Sequence, residues 1–308
     1  MKKKNIAVGV GLYVWNGEKT IDQTLSSLIK QTYKAIKIYV LDNRSTDKTV
    51  DIVKKFIKKD KRIKLIIDKK RRDQASAPRF LLNKFLKDFK YSVIVSDDDI
   101  YHKKFIELTV SKLITNKLNM VYPSYNLIDV KDKIYKSKDF PIYSEHNSML
   151  LNLLKFITYR NNAIMMNAGV FETKCSIKSY KYHKIYDSSL VNWDNLMLLH
   201  FFANFKIGYI KKKLINSRVK DRIETAKNRG QEGIFKFEKF TFFMFMIFVY
   251  QFNFSIVALK IIYGSNKINI LQKIILNFVI IFLYFQKCTS YIFKKFYKKT
   301  DIYKNRTS

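Results

Sequence analysis

Residues 91–99 of the chain, YSVIVSDDD, join a short apolar run to three consecutive carboxylates. The run from Tyr91 to Val95 is typical of a buried strand, and Asp97, Asp98 and Asp99 follow it almost at once. Adjacent carboxylates raise one another's pKa and oppose folding unless a cation lies beside them. The triplet therefore predicts either a divalent ion with oxygen ligands, Mg²⁺ or Mn²⁺, or a solvated acidic turn.

Upstream of this stretch, strand patterns alternate with helix patterns. The predicted strands are Ile6 to Tyr13, Ile36 to Leu41 and Ile63 to Ile67, and the apolar stripes of the predicted helices are Ile21, Leu25, Leu28 and Ile29, then Val50, Val53, Phe56 and Ile57, then Leu81, Leu82, Phe85 and Leu86. This alternation predicts an α/β fold with a mostly parallel sheet flanked by helices. Ligands of such sheets bind at the carboxyl ends of the strands, where Asp42 and the acidic triplet fall.

Several polar residues near these strand ends could bind a ligand or cap a helix. Thr20 with Gln23 is a plausible capping box, and Asp47 or Thr46 could cap the second helix. Arg71, Arg72 and Arg79 stand out in a chain that otherwise prefers lysine. Arginine offers bidentate contacts to phosphate, although a solvated charge is the alternative for each one.

Composition limits the class of protein. The 308 residues are 47% hydrophobic and include 8 Gly and 3 Pro, which excludes a wholly disordered or collagen-like chain. Two cysteines, Cys175 and Cys288, cannot form a disulfide framework or a zinc site.

The formal net charge of +34 would attract polyanions, although AT-rich codon usage also produces lysine-rich chains. Lys2 to Lys4 before an apolar run resemble a signal peptide, but no small-x-small cleavage site follows, which favours a first strand.

The C-terminal part has a different composition. Residues 126–225 are less regular, with a helical pattern over Asn195 to Phe205 and a strand pattern over Lys206 to Ile210. Phe240 to Leu259 is then a run of 20 uncharged residues, which could lie in a membrane interface, span a bilayer or pack as a core helix. From Lys260 onward there are ten Lys or Arg residues and one acid, Asp301. These features predict a catalytic domain over 1–235 and a membrane-associating helical region over 236–308.

The order of the motifs resembles family 2 glycosyltransferases of the GT-A fold. The motifs are Trp15-Asn16-Gly17-Glu18 after the first strand, Leu41-Asp42-Asn43-Arg44-Ser45-Thr46-Asp47 after the second, Ala77-Pro78-Arg79, and Val95-Ser96-Asp97-Asp98-Asp99. The resemblance covers about residues 5–125 well. It continues more weakly to about 222 through Asn192-Trp193-Asp194 and Ser217-Arg218-Val219-Lys220.

The resemblance implies a role for each matching residue. The nucleotide-sugar would be bound by Trp15, Glu18, Asp42, Arg79, Asp97, Asp98, Arg218 and Lys220. Asp99 and Asp97 would hold Mn²⁺ or Mg²⁺, and Asp194 would be the catalytic base. The chain departs from the family pattern at Trp15, where Tyr is frequent, at Trp193, where Glu is common, and at Lys220, where His is common.

The activity that the resemblance implies is metal-dependent transfer of a hexose, with inversion, from a nucleotide-sugar, most often a UDP-sugar. The acceptor would be a saccharide or a lipid-linked molecule, and the product a surface polysaccharide such as O-antigen or capsule. The enzyme would work at the cytoplasmic face of the membrane. The alternatives are a non-catalytic membrane-associated partner that keeps the fold, a basic nucleic-acid-binding protein, and a sugar nucleotidyltransferase. The last lacks a Gly-rich phosphate loop, and no nucleic-acid-binding signature accompanies the charge, so no nucleic-acid partner is expected.

Overall fold

A computed structural model of the chain describes residues 6–73, 76–138, 143, 145–159, 169–180, 193–218 and 254–286. Within these residues nine strands form one sheet. The strands are β1 Val8–Val14, β2 Ile36–Asp42, β3 Ile63–Ile67, β4 Tyr91–Val95, β5 Ile100–Tyr101, β6 Met120–Ile128, β7 Ile134–Lys138, β8 Val170–Glu172 and β9 Ile207–Arg218.

Helices connect and cover these strands. They are α1 Ile21–Ile29, α2 Thr49–Lys59, α3 Ser76–Leu81, α4 Phe105–Thr115, α5 Met149–Tyr159, α6 Thr173–Tyr180, α7 Trp193–Asn204, α8 at 254–263 and α9 at 270–286. A single π-helical segment, Leu82–Leu86, continues α3, so the predicted helix over Leu81 to Leu86 is present in two geometries.

The sheet is parallel on the nucleotide-binding side predicted from the sequence and mixed beyond it. Its order is β3-β2-β1-β4-β8-β6-β9-β5, and β7 pairs with β6. Strands β3, β2, β1 and β4 run parallel, and β8 is antiparallel to both β4 and β6. Strand β9 runs parallel to β6 and antiparallel to β5. The α/β prediction with a sheet flanked by helices is confirmed.

The register brings the predicted site residues to one edge. Val14 is opposite Asp42, and Leu12 is opposite Val95, so the segments after β1, β2 and β4 all leave the sheet at the same end. Strands β1 and β4 are buried along nearly their whole length, which explains why each is a continuous apolar run rather than an alternating one.

The C-terminal helices share the core of the catalytic part. Four side chains of α8, those of Phe254, Val257, Ile261 and Ile262, are fully buried in the same apolar cluster as the central strands. The Ser265 hydroxyl donates a 2.6 Å hydrogen bond to the Ala203 carbonyl at the end of α7. The end of the run from Phe240 to Leu259 thus packs as a core helix, whereas residues 240–253 lie outside the described part.

Among the described residues, no helix combines the length and apolarity needed to cross a membrane. The predicted domain boundary at 235/236 falls in 219–253, which the described residues do not include, and it stays a prediction.

One local prediction was wrong, and one predicted strand was too short. Thr20 is the N-cap residue of α1, but its side chain makes no capping hydrogen bond, and the Gln23 side chain does not complete a capping box. Instead, Gln23 Nε2 donates to Asp132 Oδ2 at 2.8 Å. Strand β9 also extends to Arg218 rather than ending near Ile210. The middle of β9 contains Lys211 to Lys213. Because a run of lysines is more typical of a loop than of a strand, the sequence pattern ended the strand too early.

Candidate active site

The turn after β1 is fastened to the turn after β2 by hydrogen bonds that involve both main chains. Asn16 N–H donates to Ser45 Oγ at 2.9 Å, and Thr46 N–H donates to Asn16 Oδ1 at 2.9 Å. Gly17 N–H donates to Thr49 Oγ1 at 2.8 Å. Asn16 has a positive φ of 51°, a conformation that asparagine tolerates better than most residues. The two turns therefore form one rigid rim.

Glu18 and Asp47 belong to the same rim. Glu18 N–H donates to Asp47 Oδ2 at 3.1 Å, and Lys48 N–H donates to Glu18 Oε2 at 3.1 Å. Partial burial raises the pKa of Asp47, but hydrogen bonds from the Thr49 side chain and from the backbone N–H groups of Glu18 and Thr49 outweigh it and lower the pKa. Lys48, not Asp47 or Thr46, occupies the N-cap position of α2, and Asp47 instead accepts the Thr49 N–H at 3.0 Å from one residue further back. The exposed Glu18 has a structural role, and its predicted contact with the nucleotide stays a prediction.

Trp15 and Asp42 lie at the edge of this rim. The Arg71 guanidinium stacks on the Trp15 indole, with Cζ 3.7 Å from the ring centroid. Such cation–π pairs hold an aromatic side chain in one orientation. Asp42 is buried, and its carboxylate accepts the Ser45 N–H at 3.2 Å and 3.4 Å to its two oxygens.

The loop between β3 and α3 is tied to the end of β2 by Arg72. Asn43 Nδ2 donates to the Arg72 carbonyl, and Arg72 N–H donates to Asn43 Oδ1, each at 2.7 Å. The Arg72 guanidinium pairs with Asp68 at 2.5 Å and stacks on Phe80 at 3.7 Å. The sequence suggested Arg72 as a phosphate ligand, but this geometry makes it a brace of the loop.

Arg79 differs from Arg71 and Arg72 in the contacts of its guanidinium. It lies in α3 and is half-buried, and its carbonyl accepts a 2.8 Å hydrogen bond from Asn83 Nδ2. Among the described residues, its guanidinium makes no hydrogen bond or ion pair. A half-buried cation with unused donors suits a phosphate ligand.

The acidic loop after β4 meets the turn after β1 at Gly17. A Cβ on Gly17 would lie 2.6 Å from Val14 Cγ2 and 3.1 Å from Asp97 Oδ2, so no larger residue fits without displacement. The Thr24 hydroxyl holds the acidic loop from α1, because it lies 3.0 Å from the Asp97 carbonyl and 2.9 Å from the Asp99 carbonyl. Asp97, half-buried, is the most open carboxylate of the three.

Asp98 and Asp99 are directed inward, and each is only 5% exposed. The Ser96 hydroxyl donates to Asp98 Oδ1 at 2.5 Å, and the Arg218 N–H donates to Asp99 Oδ1 at 3.0 Å. Burial, together with the charges of Asp98 and Asp97, raises the pKa of Asp99 to about 7, despite hydrogen bonds from Arg218 and Ser217. The raised pKa reflects the close approach of three carboxyl groups in a buried loop.

Arg218, at the end of β9, clamps the acidic loop from the opposite side. Its Nε donates to the Asp98 carbonyl at 3.2 Å, and its Nη1 donates to the Asp129 carbonyl at 2.8 Å. Its Nη2 contacts Gln23 Oε1 at 2.7 Å and Asp132 Oδ1 at 2.5 Å. The side chain is 7% exposed. The guanidinium thus positions the loop, and the predicted contact of Arg218 with a pyrophosphate stays a prediction.

The carboxylates of the acidic loop could bind a divalent cation only together with oxygen ligands from a bound molecule, such as a phosphate. The described residues contain no group of three or more His, Cys, Asp or Glu side chains that could hold a metal ion. Mg²⁺ in nucleotide sites binds through one or two carboxylates, with phosphate and water oxygens filling the remaining positions. Asp97 beside Gly17 is an open, hard oxygen donor of this kind. The assignment of Asp97 and Asp99 as metal ligands stays a prediction.

The predicted base and one predicted phosphate contact cannot be placed. Asp194 is the second residue of α7, and its side chain lies outside the described part of the chain. Lys220 lies outside it altogether. Asn43 and Gln23 were missed as site-building residues, because their partners are distant in sequence. Nothing in the local pattern signals such pairs.

The fold and the strand-end site agree with a match to a known family. Residues 10–181, more than half of the chain, match the model of Glycosyl transferase family 2. The chain belongs to this family. The matched region contains the rim, the Trp15–Arg71 pair, Arg79 and the acidic loop, and the chain is a glycosyltransferase.

Individual relatives carry the same assignment. An uncharacterized glycosyltransferase of Haemophilus influenzae is 29% identical over 280 residues, which cover 87% of this chain and 84% of the relative. A second relative is the UDP-Glc:alpha-D-GlcNAc-diphosphoundecaprenol beta-1,3-glucosyltransferase WfgD of Escherichia coli. It is 30% identical over 115 residues, which cover 37% of this chain and 44% of WfgD.

Solved structures show the same fold. The S. aureus TarS 1–349 structure in complex with UDP-GlcNAc superposes with a TM-score of 0.59 at 15% sequence identity, covering 87% of this chain and 69% of TarS 1–349. The complex with UDP gives the same TM-score. At this identity the likeness establishes the GT-A-like fold of the chain, and it says nothing of the donor.

Proposed function

We propose that this glycosyltransferase binds a UDP-sugar along the edge formed by β1, β2 and β4 and transfers the sugar, with inversion, to a saccharide or lipid-linked acceptor. The product would be a surface polysaccharide such as O-antigen or capsule. The main support for this proposal is that Trp15, Asp42 and Asp97 lie together at the carboxyl ends of neighbouring strands. All three are inside the region that matches the family. The UDP and UDP-GlcNAc complexes of TarS and the UDP-Glc donor in the name of WfgD support the choice of nucleotide.

The nucleoside would lie against the rigid rim. Trp15, held by Arg71, offers an indole on which a base can stack. The Asp42 carboxylate is a hydrogen-bond acceptor for the base or the ribose hydroxyls. Because the rim is fixed by hydrogen bonds within the protein, the base would bind to a surface that needs little reorganisation.

The diphosphate would lie between Arg79 and Asp97. When bound, Mg²⁺ or Mn²⁺ would supply positive charge at the diphosphate oxygens, where negative charge develops as the sugar leaves. Asp97 and Asp99 would hold the ion. Arg79, with no partner among the described residues, would stabilise the same charge from α3.

The transfer itself would be a direct displacement. The acceptor hydroxyl oxygen forms a bond to the anomeric carbon while the bond from that carbon to the diphosphate oxygen breaks. The bonding electron pair leaves with the nucleoside diphosphate, and the hydroxyl proton passes to the Asp194 carboxylate. One displacement inverts the configuration of the anomeric carbon.

The test is to incubate the full chain with Mn²⁺, an acceptor extract and a panel of nucleotide-sugars, and to measure nucleotide release. Asp97→Asn should lower the metal-stimulated rate by roughly a hundredfold or more, because it removes a proposed metal ligand. Asp88→Asn, a matched change at an exposed carboxylate before β4, should leave the rate unchanged. Unchanged metal stimulation in Asp97→Asn would rule out this carboxylate as a ligand.

Asp194→Asn is a second variant for the same experiment, in which UDP-sugar binding and sugar transfer are both measured. It should leave UDP-sugar binding intact and remove most of the transfer, since the amide cannot take up the proton. Transfer within a few fold of the wild-type rate would place the base elsewhere. A wild-type protein that binds UDP-sugar but transfers to no acceptor would favour the non-catalytic alternative.

We also propose that the enzyme works at the cytoplasmic face of the membrane as a peripheral or monotopic protein. The ten Lys or Arg residues and one acid after 259 favour an anionic surface. The acceptor in the name of WfgD, GlcNAc-diphosphoundecaprenol, is lipid-linked, and an acceptor of this kind would keep the enzyme at a membrane.

A further inference from the structure

Helix α9 has two apolar faces, and among the described residues only one of them packs against the protein. Leu276, Ile280 and Leu283 follow one another at the spacing of a helical stripe and are buried in the core. The opposite side, called here the outward face, carries further large apolar residues that are exposed. They are Ile270, Leu271, Ile274, Ile275, Phe278, Ile281, Phe282 and Phe285.

The outward face is too large and too apolar to be an ordinary part of a water-facing surface. Phe278 is 71% exposed, Phe282 is 66% exposed and Phe285 is 60% exposed. The stripe from Ile270 to Phe285 runs for about 22 Å at the rise of an α-helix. Single exposed apolar residues are normal in proteins, but a continuous stripe of this length marks a surface that binds something.

The positive charge around the outward face indicates which kind of partner it binds. No Asp or Glu occurs between 254 and 300, whereas Lys260, Lys267 and Lys273 lie in or beside the two C-terminal helices. After α9 the sequence interleaves aromatic residues with lysines, from Tyr291 to Lys299. A second copy of this chain would bring the same positive charge and be repelled. A bilayer containing anionic lipid offers both an apolar layer and negative charge.

We propose that the outward face of α9 docks on an anionic lipid bilayer, with the helix lying in the plane of the interface. The buried inward face fixes this orientation, because Leu276, Ile280 and Leu283 are held in the protein core while the three phenylalanines point away from it. The inference deepens the proposed membrane location by naming the docking surface. Its test measures lipid binding alone, so its failure would leave the proposed sugar transfer untouched.

The experiment compares flotation of the full chain with two kinds of vesicle, phosphatidylcholine alone and phosphatidylcholine with 30% phosphatidylglycerol. The triple variant Phe278→Ser, Phe282→Ser and Phe285→Ser should lose roughly a hundredfold in partitioning to the anionic vesicles. Its thermal unfolding should stay close to that of the wild type, since the three side chains are exposed. High salt should weaken the wild-type binding without abolishing it, because the apolar contribution is insensitive to salt.

A matched triple variant provides the control. Ile114→Ser, Val130→Ser and Ile134→Ser remove three exposed apolar side chains from other parts of the surface and should leave vesicle binding unchanged. The proposal is overturned if the wild type does not bind anionic vesicles, or if the phenylalanine variant binds them as well as the wild type. It is also overturned if the phenylalanines hold a dimer in solution and their loss changes the oligomeric state but not lipid binding.

Discussion

Arg71 and Arg72 are neighbours in the chain, but the structure uses them in different ways. Arg71 stacks on Trp15 at the open edge of the site, while Arg72 is tied to Asp68 and Phe80. Arginine suits both positions because its planar guanidinium can stack and form directed hydrogen bonds at once. The difference between the two residues therefore comes from their surroundings, and only Arg71 orients a side chain proposed to contact the nucleotide.

Trp15→Ala should raise the dissociation constant of UDP about tenfold, because stacking on an aromatic ring contributes roughly 1–3 kcal/mol per base. Arg71→Ala should have a smaller effect in the same direction, since the indole remains but loses its support. Titration calorimetry with UDP and Mn²⁺ measures both. Lys69→Ala, at an exposed lysine of the same loop, is the control and should bind UDP like the wild type. Equal UDP affinities for Trp15→Ala and the control would remove Trp15 from the binding site.

At the scale of elements, β9 joins the two halves of the molecule. It pairs with β6 along its length and with the short strand β5, which follows the acidic loop directly. Its last residue, Arg218, then contacts the acidic loop, the hairpin of β6 and β7, and α1. One strand thus holds the proposed metal-binding loop in place through its final side chain.

Arg218→Ala should lower the free energy of unfolding by about 2–4 kcal/mol, because it leaves buried acceptors without donors. It should also weaken Mn²⁺-dependent UDP binding. Arg218→Lys should restore little of either, since one ammonium cannot replace a guanidinium that bonds in three directions. Chemical denaturation and UDP titration of the same samples measure the two effects.

Asp132→Asn separates positioning from direct contact. It removes the ion-pair partner of Arg218 but leaves the guanidinium in place. If Arg218 acts by positioning, Asp132→Asn should weaken stability and UDP binding together, to a smaller extent than Arg218→Ala. If only the Arg218 variants change UDP affinity, with stability intact, the arginine contacts the phosphates itself.

At the scale of the whole molecule, the C-terminal helices belong to the folded body and also carry the largest exposed apolar face among the described residues. Helix α8 buries Phe254, Val257, Ile261 and Ile262 in the shared core, whereas α9 exposes three phenylalanines. Deleting the C-terminal region would therefore remove core side chains together with the exposed face. Point variants on α9 test its surface without removing the core residues of α8.

A chain that ends at residue 253 should fail to fold or should unfold at a much lower temperature. Four fully buried side chains at about 1.5–3 kcal/mol each amount to a large share of the roughly 5–15 kcal/mol that stabilises a typical domain. A chain that ends at residue 286 is the matched control and should keep the wild-type melting temperature and UDP binding. Differential scanning calorimetry of both truncations decides the matter, and a stable, UDP-binding chain ending at 253 would contradict the shared core.

The parallel part of the sheet could be predicted from the sequence alone. Strands β1 to β4, helices α1 and α2, and the placement of Asp42 and the acidic triplet at strand ends were predicted nearly to the residue. The reason is that central parallel strands bury both faces, so each appears as a short continuous apolar run between helical patterns. The order of motifs along these elements was enough to indicate the family.

Only the tertiary structure decided what the polar residues do. Gln23 was expected to cap α1 but instead binds Asp132 and Arg218, which are more than 100 residues away in the chain. The contacts of Arg218 with the acidic loop could not be predicted from the sequence either, and its contact with a pyrophosphate stays a prediction. Both faces of α9 carry large apolar residues, and packing determines which face is buried. Local patterns record burial and periodicity, whereas the partner of a charged or amide side chain depends on which distant segments the fold brings within about 3 Å of it.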